Sequence, residues 1–251
     1  MIPITIKMKS FFPWLVFGLR ETVRILTDFC LGRGPREKQL VDFVEANAKK
    51  NDPEDVLRTI DIFAKKRFLM NVGQEKGQFL EKVLNQNEAR QVLELGCYCG
   101  YSALITAQEL QKTNGKLISI EKSPLFAQCA RRILRHAGLQ SYVDIQIGSA
   151  EDLIPTLKVP FDVVFIDHWK DAYLPDLRSL EKANLLNNGC TVVADNVGIF
   201  ENTLTPYLHY VRKSGNYRSK HHSAAMEYFD SIDDGVEIST WLGNQCASST
   251  L

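Results

Sequence analysis

The sequence predicts an α/β fold: a doubly wound, mostly parallel sheet with helices on both faces and an antiparallel hairpin closing one edge. Three observations carry this expectation. Short apolar runs at 91–95, 116–121, 143–147, 161–167 and 190–195 alternate with stretches of helical periodicity at 101–111, 123–136, 150–157 and 174–186. Such alternation makes successive strands parallel, because each crossover helix returns the chain to the same end of the sheet. Two last segments, 220–230 and 236–242, carry β-type residues around Asp233-Asp234-Gly235 and read as a hairpin turning there. Counted together, these make seven strands.

The chain has 251 residues, 45% hydrophobic and 24% charged, ordinary values for a soluble globular protein. Thirty basic residues balance thirty acidic ones, with no basic stripe, which argues against nucleic acid as the partner and favours a small-molecule substrate. The six cysteines, Cys30, Cys97, Cys99, Cys129, Cys190 and Cys246, follow no zinc spacing, and Cys97 and Cys99 are too close for an ordinary disulfide. They read as buried reduced thiols, and the compartment as cytoplasmic.

A break at Leu31-Gly32-Arg33-Gly34-Pro35 divides residues 1–34, an N-terminal helix or tail, from a domain over 35–251. The apolar stretch 11–19 is too short to span a membrane, which needs roughly 20 residues. Phe11, Leu15, Leu19, Val23 and Leu26 or Phe29 recur at helical spacing, with Lys7, Lys9, Arg20 and Arg24 nearby. That pattern suits a helix lying at a membrane interface through residues 1–31, or equally one packed on the domain. Residues 36–88 read as helices at 38–48, 53–67 and 77–84, the second opened by Asp52-Pro53-Glu54 with proline at its first position.

Ligands of doubly wound sheets bind beyond the carboxyl ends of the strands. The first strand here runs into Glu94-Leu95-Gly96-Cys97-Tyr98-Cys99-Gly100, and the second ends at Glu121, about 25 residues beyond Gly96, where a carboxylate can accept hydrogen bonds from ribose hydroxyls. Gly96 and Gly100 are spaced G-x-x-x-G, which lacks the pyrophosphate fingerprint of dinucleotide enzymes. A ribose-adenine cofactor without pyrophosphate, S-adenosylmethionine, fits better. The fourth strand ends at Asp167 and the fifth at Asp195-Asn196. Two carboxylates and an amide oxygen suit Mg²⁺, although Asp and Asn at strand ends also cap turns. Lys170, three residues past Asp167 and beside His168 and Trp169, is a candidate base, since a lysine in a partly desolvated pocket can act as one.

Together Met70-Asn71-Val72-Gly73, 93–102, Asp167-His168-Trp169-Lys170-Asp171 and Ala194-Asp195-Asn196-Val197 resemble animal catechol O-methyltransferases over about residues 36–242. That resemblance implies a Rossmann-like methyltransferase fold, Asp167, Asp195 and Asn196 as Mg²⁺ ligands, and Lys170 and Glu227 as catalytic groups. It places Met70, Val72, Glu94, Gly96, Tyr98, Ser102, Glu121, Ala150, Glu151, Asp167, His168 and Trp169 around S-adenosylmethionine. Phe68, Met70, Asp167, Trp169, Lys170, Asn196, Phe200 and Glu227 fall around a catechol substrate. The chain also departs from the pattern: Phe68 replaces a tryptophan gate, a proline is lost near Phe200, and Ala150-Glu151 replaces Ser-Gln. These changes bear on substrate preference and regioselectivity. The resemblance implies a small catechol as substrate; the sequence does not fix the oligomeric state, for which a monomer is the expectation. Two alternatives stay open, another vicinal-diol phenol as substrate, or a non-catalytic trafficking partner of membrane proteins, as for transmembrane O-methyltransferases that depart from the Asp-His-Trp-Lys pattern.

Overall fold

The computed structural model describes residues 11–243, without the side chains of 11–17, 25, 28, 29 and 230. The calls on Lys7, Lys9 and Cys246, and on the side chains of Phe11, Leu15 and Phe29, lie outside the described residues. Helix α1 (Phe11–Cys30) precedes the predicted break; α2 (Arg36–Asn47), α3 (Pro53–Lys66) and α4 (Gly73–Gln86) lead into the sheet. Asp52 caps α3, its carboxylate accepting the Asp55 N–H at 3.2 Å.

Alternation then runs as expected through β1 (Gln91–Leu95), α5 (Tyr101–Thr113), β2 (Lys116–Glu121), α6 (Pro124–His136), β3 (Val143–Ile147), α7 (Ala150–Leu153), β4 (Phe161–Ile166), α8 (Tyr173–Lys182) and β5 (Leu186–Ala194). The sheet order is β3-β2-β1-β4-β5-β7-β6, with β1 to β5 parallel and β7 antiparallel to both β5 and β6. The order in which strands are added reverses between the parallel neighbours β1 and β4, so the crevice for a ligand opens beyond Leu95 and Ile166. Two apolar clusters fill the space on either side of the sheet, one around Leu40, Ile60, Leu80 and Ala107, the other around Phe161, Tyr173, Leu177 and Leu208.

Three expectations are corrected. The helix expected over 174–186 stops at Lys182, and Leu186 already pairs with Phe161 in the sheet. A further helix, α9 (Glu201–Lys213), fills the stretch before the hairpin; its four buried residues, Leu204, Tyr207, Leu208 and Val211, follow helical spacing, which the internal Pro206 obscures. The hairpin β6 (Tyr217–Met226) and β7 (Phe229–Trp241) turns at Glu227-Tyr228, with Tyr228 at φ 62, and not at Asp233-Asp234-Gly235. Those three residues sit inside β7, opposite Ala225, Ala224 and Ser223. Gly235 is required there by close approach: a Cβ would stand 2.5 Å from the His222 carbonyl oxygen.

Cys97, Cys99, Cys129 and Cys190 are buried free thiols, whereas Cys30 is exposed, contrary to the expectation for all six. The observed register predicts that Gly235→Ala costs about 2 kcal/mol or more, because backbone must shift to admit a methyl group. Urea unfolding measures this; a loss below about 0.5 kcal/mol, typical of a surface turn, would contradict the register.

Candidate active site

The loop after β1 crosses the end of β4 at contact distance. Gly96 has φ +97, and a Cβ there would lie 2.6 Å from the Asp167 carbonyl oxygen, so no other residue fits. Glu121 clamps this loop from β2: its carboxylate accepts the N–H groups of Cys97 at 3.2 Å, Tyr98 at 2.9 Å and Ser123 at 2.7 Å. Tyr98, at φ 45, donates its hydroxyl to Glu37 of α2 at 2.8 Å and packs edge-on against Phe126. Ala150 is buried and Glu151 exposed at the start of α7, beyond β3 and next to β2. Val72 is buried where α4 begins, and Ser102 in the first turn of α5.

Glu94 is fully buried within β1, where it accepts the Ser119 hydroxyl, while its Oε1 has no partner. Burial pushes its carboxyl up to about 7, against the opposing pull of hydrogen bonds from Ser102 and Ser119.

The second half of the site is electrostatic. Asp167 and Asp195 stand one step past neighbouring strand ends, their N–H groups donating to Leu95 O at 2.9 Å and Ile166 O at 3.0 Å. Lys170 donates to Asp167 Oδ1 at 2.9 Å and to the Tyr173 hydroxyl at 2.8 Å, and its ammonium lies 5.6 Å from the centre of the Phe200 ring. His168 bonds Asp176 through Nε2 at 2.6 Å and stacks on Tyr173, leaving Nδ1 buried without a partner. The Asn196 side-chain N–H₂ donates to Glu227 at 3.3 Å and to Asp234 at 3.0 Å, which turns its amide oxygen the other way.

Beneath them lies a group the sequence did not reveal. Lys76 of α4 is 1% exposed, and its ammonium contacts Asp195 Oδ1 at 2.7 Å, Asp234 Oδ2 at 2.8 Å and Glu227 Oε1. Burial disfavours the charge on Lys76, but the three carboxylates outweigh it and hold the amine protonated well above its usual range. Burial pushes Asp195 and Glu227 up, while Asp234 is held below its usual value, Lys76, Asn196 and the Ile199 N–H outweighing its burial. Asp195 Oδ2 is buried and has no hydrogen-bond partner.

Around this polar floor stand large apolar side chains that face solvent: Met70 at 58%, Trp169 at 77% and Phe200 at 41% exposure. Phe68 is half-buried against Phe229, and its carbonyl accepts Arg36 Nη1 at 2.5 Å. Lys76, Tyr173, Asp176 and Asp234 escaped sequence reasoning. Lys76 reads as a surface residue in a polar helix, and Asp234 as part of a turn.

The O-methyltransferase family model matches residues 48–208, from the end of α2 into α9, and stops short of Glu227 and Asp234 in the hairpin. The chain belongs to the O-methyltransferase family. This O-methyltransferase is 41% identical to catechol O-methyltransferase of Mus musculus over 217 residues, 84% of this chain and 80% of that protein. It is 40% identical to catechol O-methyltransferase B of Danio rerio, covering 85% of this chain and 81% of that one. The transmembrane O-methyltransferase of Homo sapiens is 33% identical over 96% of this chain and 84% of its own. Among solved structures, the O-methyltransferase TomG of Streptomyces achromogenes, in complex with SAM, aligns with TM-score 0.63 and 25% identity, covering 69% of this chain and 82% of that one. The O-methyltransferase of Bacillus cereus, in complex with SAH, shares the fold at TM-score 0.65, with 75% and 90% covered.

The Glu94 carboxyl gives this enzyme a pH signature. Its folded state holds the proton more tightly than the unfolded chain, where glutamate titrates near 4.5. Its contribution to stability is therefore full at low pH and is lost as pH rises through about 7. The melting temperature should fall between about pH 4.5 and pH 7, and Glu94→Gln should flatten that fall. Identical slopes in calorimetry would remove Glu94 as its source.

Proposed function

We propose that the protein transfers a methyl group from S-adenosylmethionine to one hydroxyl of a catechol, with Mg²⁺ held by Asp167, Asp195 and Asn196. The observation that supports this most strongly is the convergence of Asp167, Asp195, Asn196 and Lys170 from two neighbouring strand ends with Glu227 from the hairpin turn, beside exposed aromatic and thioether side chains. The donor set fits the ion. Hard oxygens from two carboxylates and an amide suit Mg²⁺, and Asp195 Oδ2 is a buried acceptor without a partner. Four carboxylates, Asp167, Asp195, Glu227 and Asp234, face two ammonium groups, Lys76 and Lys170. Relatives named as catechol O-methyltransferases at 40–41% identity point to the same substrate class.

When bound, Mg²⁺ would acidify the vicinal hydroxyls it chelates. The chain's own groups supply the rest. Lys170, fixed by Asp167 and the Tyr173 hydroxyl, acts in its neutral amine form and takes the proton of the hydroxyl that is methylated. Glu227 accepts a hydrogen bond from the second hydroxyl and so sets the orientation of the ring. Met70, Trp169, Phe200 and Phe68 wall the slot, exclude water and hold nucleophile and methyl donor in line. Val72, Glu94, Gly96, Tyr98, Ser102, Glu121, Ala150, Glu151 and His168 form the cofactor side, with Glu121 on the ribose. No covalent enzyme intermediate is involved.

Methylation of dopamine should vanish on chelation with EDTA and return with added Mg²⁺. Lys170→Ala should lower kcat by about 10²-fold or more while the Kd for S-adenosylmethionine stays within about 2-fold. A variant with wild-type kcat would send the proton elsewhere, and activity undiminished by EDTA would remove the metal.

A second property rests on α1. No helix among the described residues is long and apolar enough to cross a membrane. Yet α1 turns Leu19, Val23 and Leu26 to solvent at 67%, 55% and 57% exposure, while Glu21, among its described side chains, is buried. Glu21 is buried between Arg24 and Arg36, at 2.8 and 3.1 Å, and Arg20 covers the Phe229 ring at 4.5 Å. An apolar stripe facing outward suits a cytoplasmic enzyme resting on a lipid surface through this helix. Replacing Leu19, Val23 and Leu26 by serine should reduce co-sedimentation with phosphatidylserine-containing vesicles by about 10-fold or more, on the area of apolar surface removed. Equal sedimentation of the two proteins would exclude α1 as the contact.

A further inference from the structure

Three acidic side chains at the heart of the site, Asp195, Glu227 and Asp234, offer oxygens within 4.8 Å of one another, the spacing of a metal site. They are all buried, at 1%, 8% and 3% exposure. A cation already stands among them. Lys76 enters from α4 and gives each carboxylate one contact, which uses all three of its ammonium protons. Asp234 is held further by the N–H groups of Gly198 and Ile199, both at 3.1 Å, and by the Asn196 amide.

We infer that Lys76 is a resident cation that closes this three-carboxylate pocket to metal and so confines a divalent ion to the remaining oxygens of Asp195, Asp167 and Asn196. The inference deepens the proposed function and rests on its metal site. A divalent ion among the same three oxygens would stand within a few ångströms of the Lys76 ammonium, where like charges repel strongly at low dielectric. With Asp195 Oδ1 taken by Lys76 and by the Asn196 N–H, both at 2.7 Å, only Oδ2 is open. The same ammonium draws Glu227 toward Asp195, and Asp234 orients the Asn196 amide. Lys76 is thus a positioning residue, acting through groups that themselves meet metal and substrate.

The test uses the full chain and Mn²⁺ as the probe ion, counted by calorimetry and electron paramagnetic resonance. Wild type should bind one Mn²⁺ per chain. Lys76→Met should bind two, Lys76→Arg should remain at one, and adding Asp234→Asn to Lys76→Met should return the count to one. Saturating Mn²⁺ should also raise the melting temperature of Lys76→Met by about 5 °C more than that of wild type, because the ion replaces a lost internal partner. If Lys76→Met does not fold alone, Mn²⁺ should restore its fold, and failure to do so overturns the inference. A variant that binds a single ion with the wild-type melting response overturns it too. A wild type that binds none overturns the proposed Mg²⁺ site instead, and the gain of one ion by Lys76→Met then still decides the closure.

Discussion

The ammonium of Lys76 is the interaction on which the rest of the site depends. Three carboxylates brought out of water to within a few ångströms of each other repel strongly, and each loses hydration that nothing apolar can replace. One buried lysine with three acceptors offsets both losses. It also joins three separate parts of the chain: Lys76 comes from α4, Asp195 from the end of β5, and Glu227 and Asp234 from the hairpin. Removing one partner of such a buried cluster leaves an uncompensated charge, a loss of roughly 3–5 kcal/mol in comparable cases. The antiparallel hairpin is therefore more than an edge to the sheet. It delivers two of the four carboxylates that give the crevice its charge.

Around that cluster the crevice is built by close backbone approach. The loop after β1 lies against Asp167 because Gly96 has no side chain, and Glu121 fastens the same loop by accepting two of its N–H groups. A second network ties the outer helices to the hairpin turn. Asp61 of α3 accepts the hydroxyls of Tyr101 at 3.2 Å and Tyr228 at 2.9 Å, and Asn71 reaches Tyr228 at 3.3 Å. The segment 70–73, the turn at 227–228 and the start of α5 are thereby held relative to one another. Such bonds fix where Met70, Val72 and Glu227 stand without touching a ligand themselves.

Helix α1 obeys a different rule. Among its described side chains, Glu21 is buried while Leu19, Val23 and Leu26 lie outside. Its attachment passes through Arg20 on Phe229 and through Arg36, which bonds both Glu21 and the Phe68 carbonyl. Phe229 in turn packs on Phe68, so the helix and the slot wall share the same supports.

The parallel strands and their crossover helices were legible in the sequence because period and apolar content are local properties: β1, β2 and β3 fall where the runs predict. Asp167, Lys170, Asp195 and the Gly96 loop were legible for a related reason, since each lies beside a strand end and has few ways to point. Local pattern failed where distant contacts override it. Asp233-Asp234-Gly235 has the composition of a turn, yet pairing with residues 223–225 and the hold of Lys76 keep it in a strand, and the turn falls at Glu227-Tyr228. Lys76 itself lies among Gln74, Glu75 and Gly77 and looks like solvent-facing helix. The carboxylates that bury it are 119 to 158 residues further along the chain. The sequence by itself determined the alternation of parallel strands and crossover helices and which polar residues stand at the strand ends. Only the tertiary structure decided which charges share one buried space, because charge pairing depends on distance in the fold and not on separation along the chain.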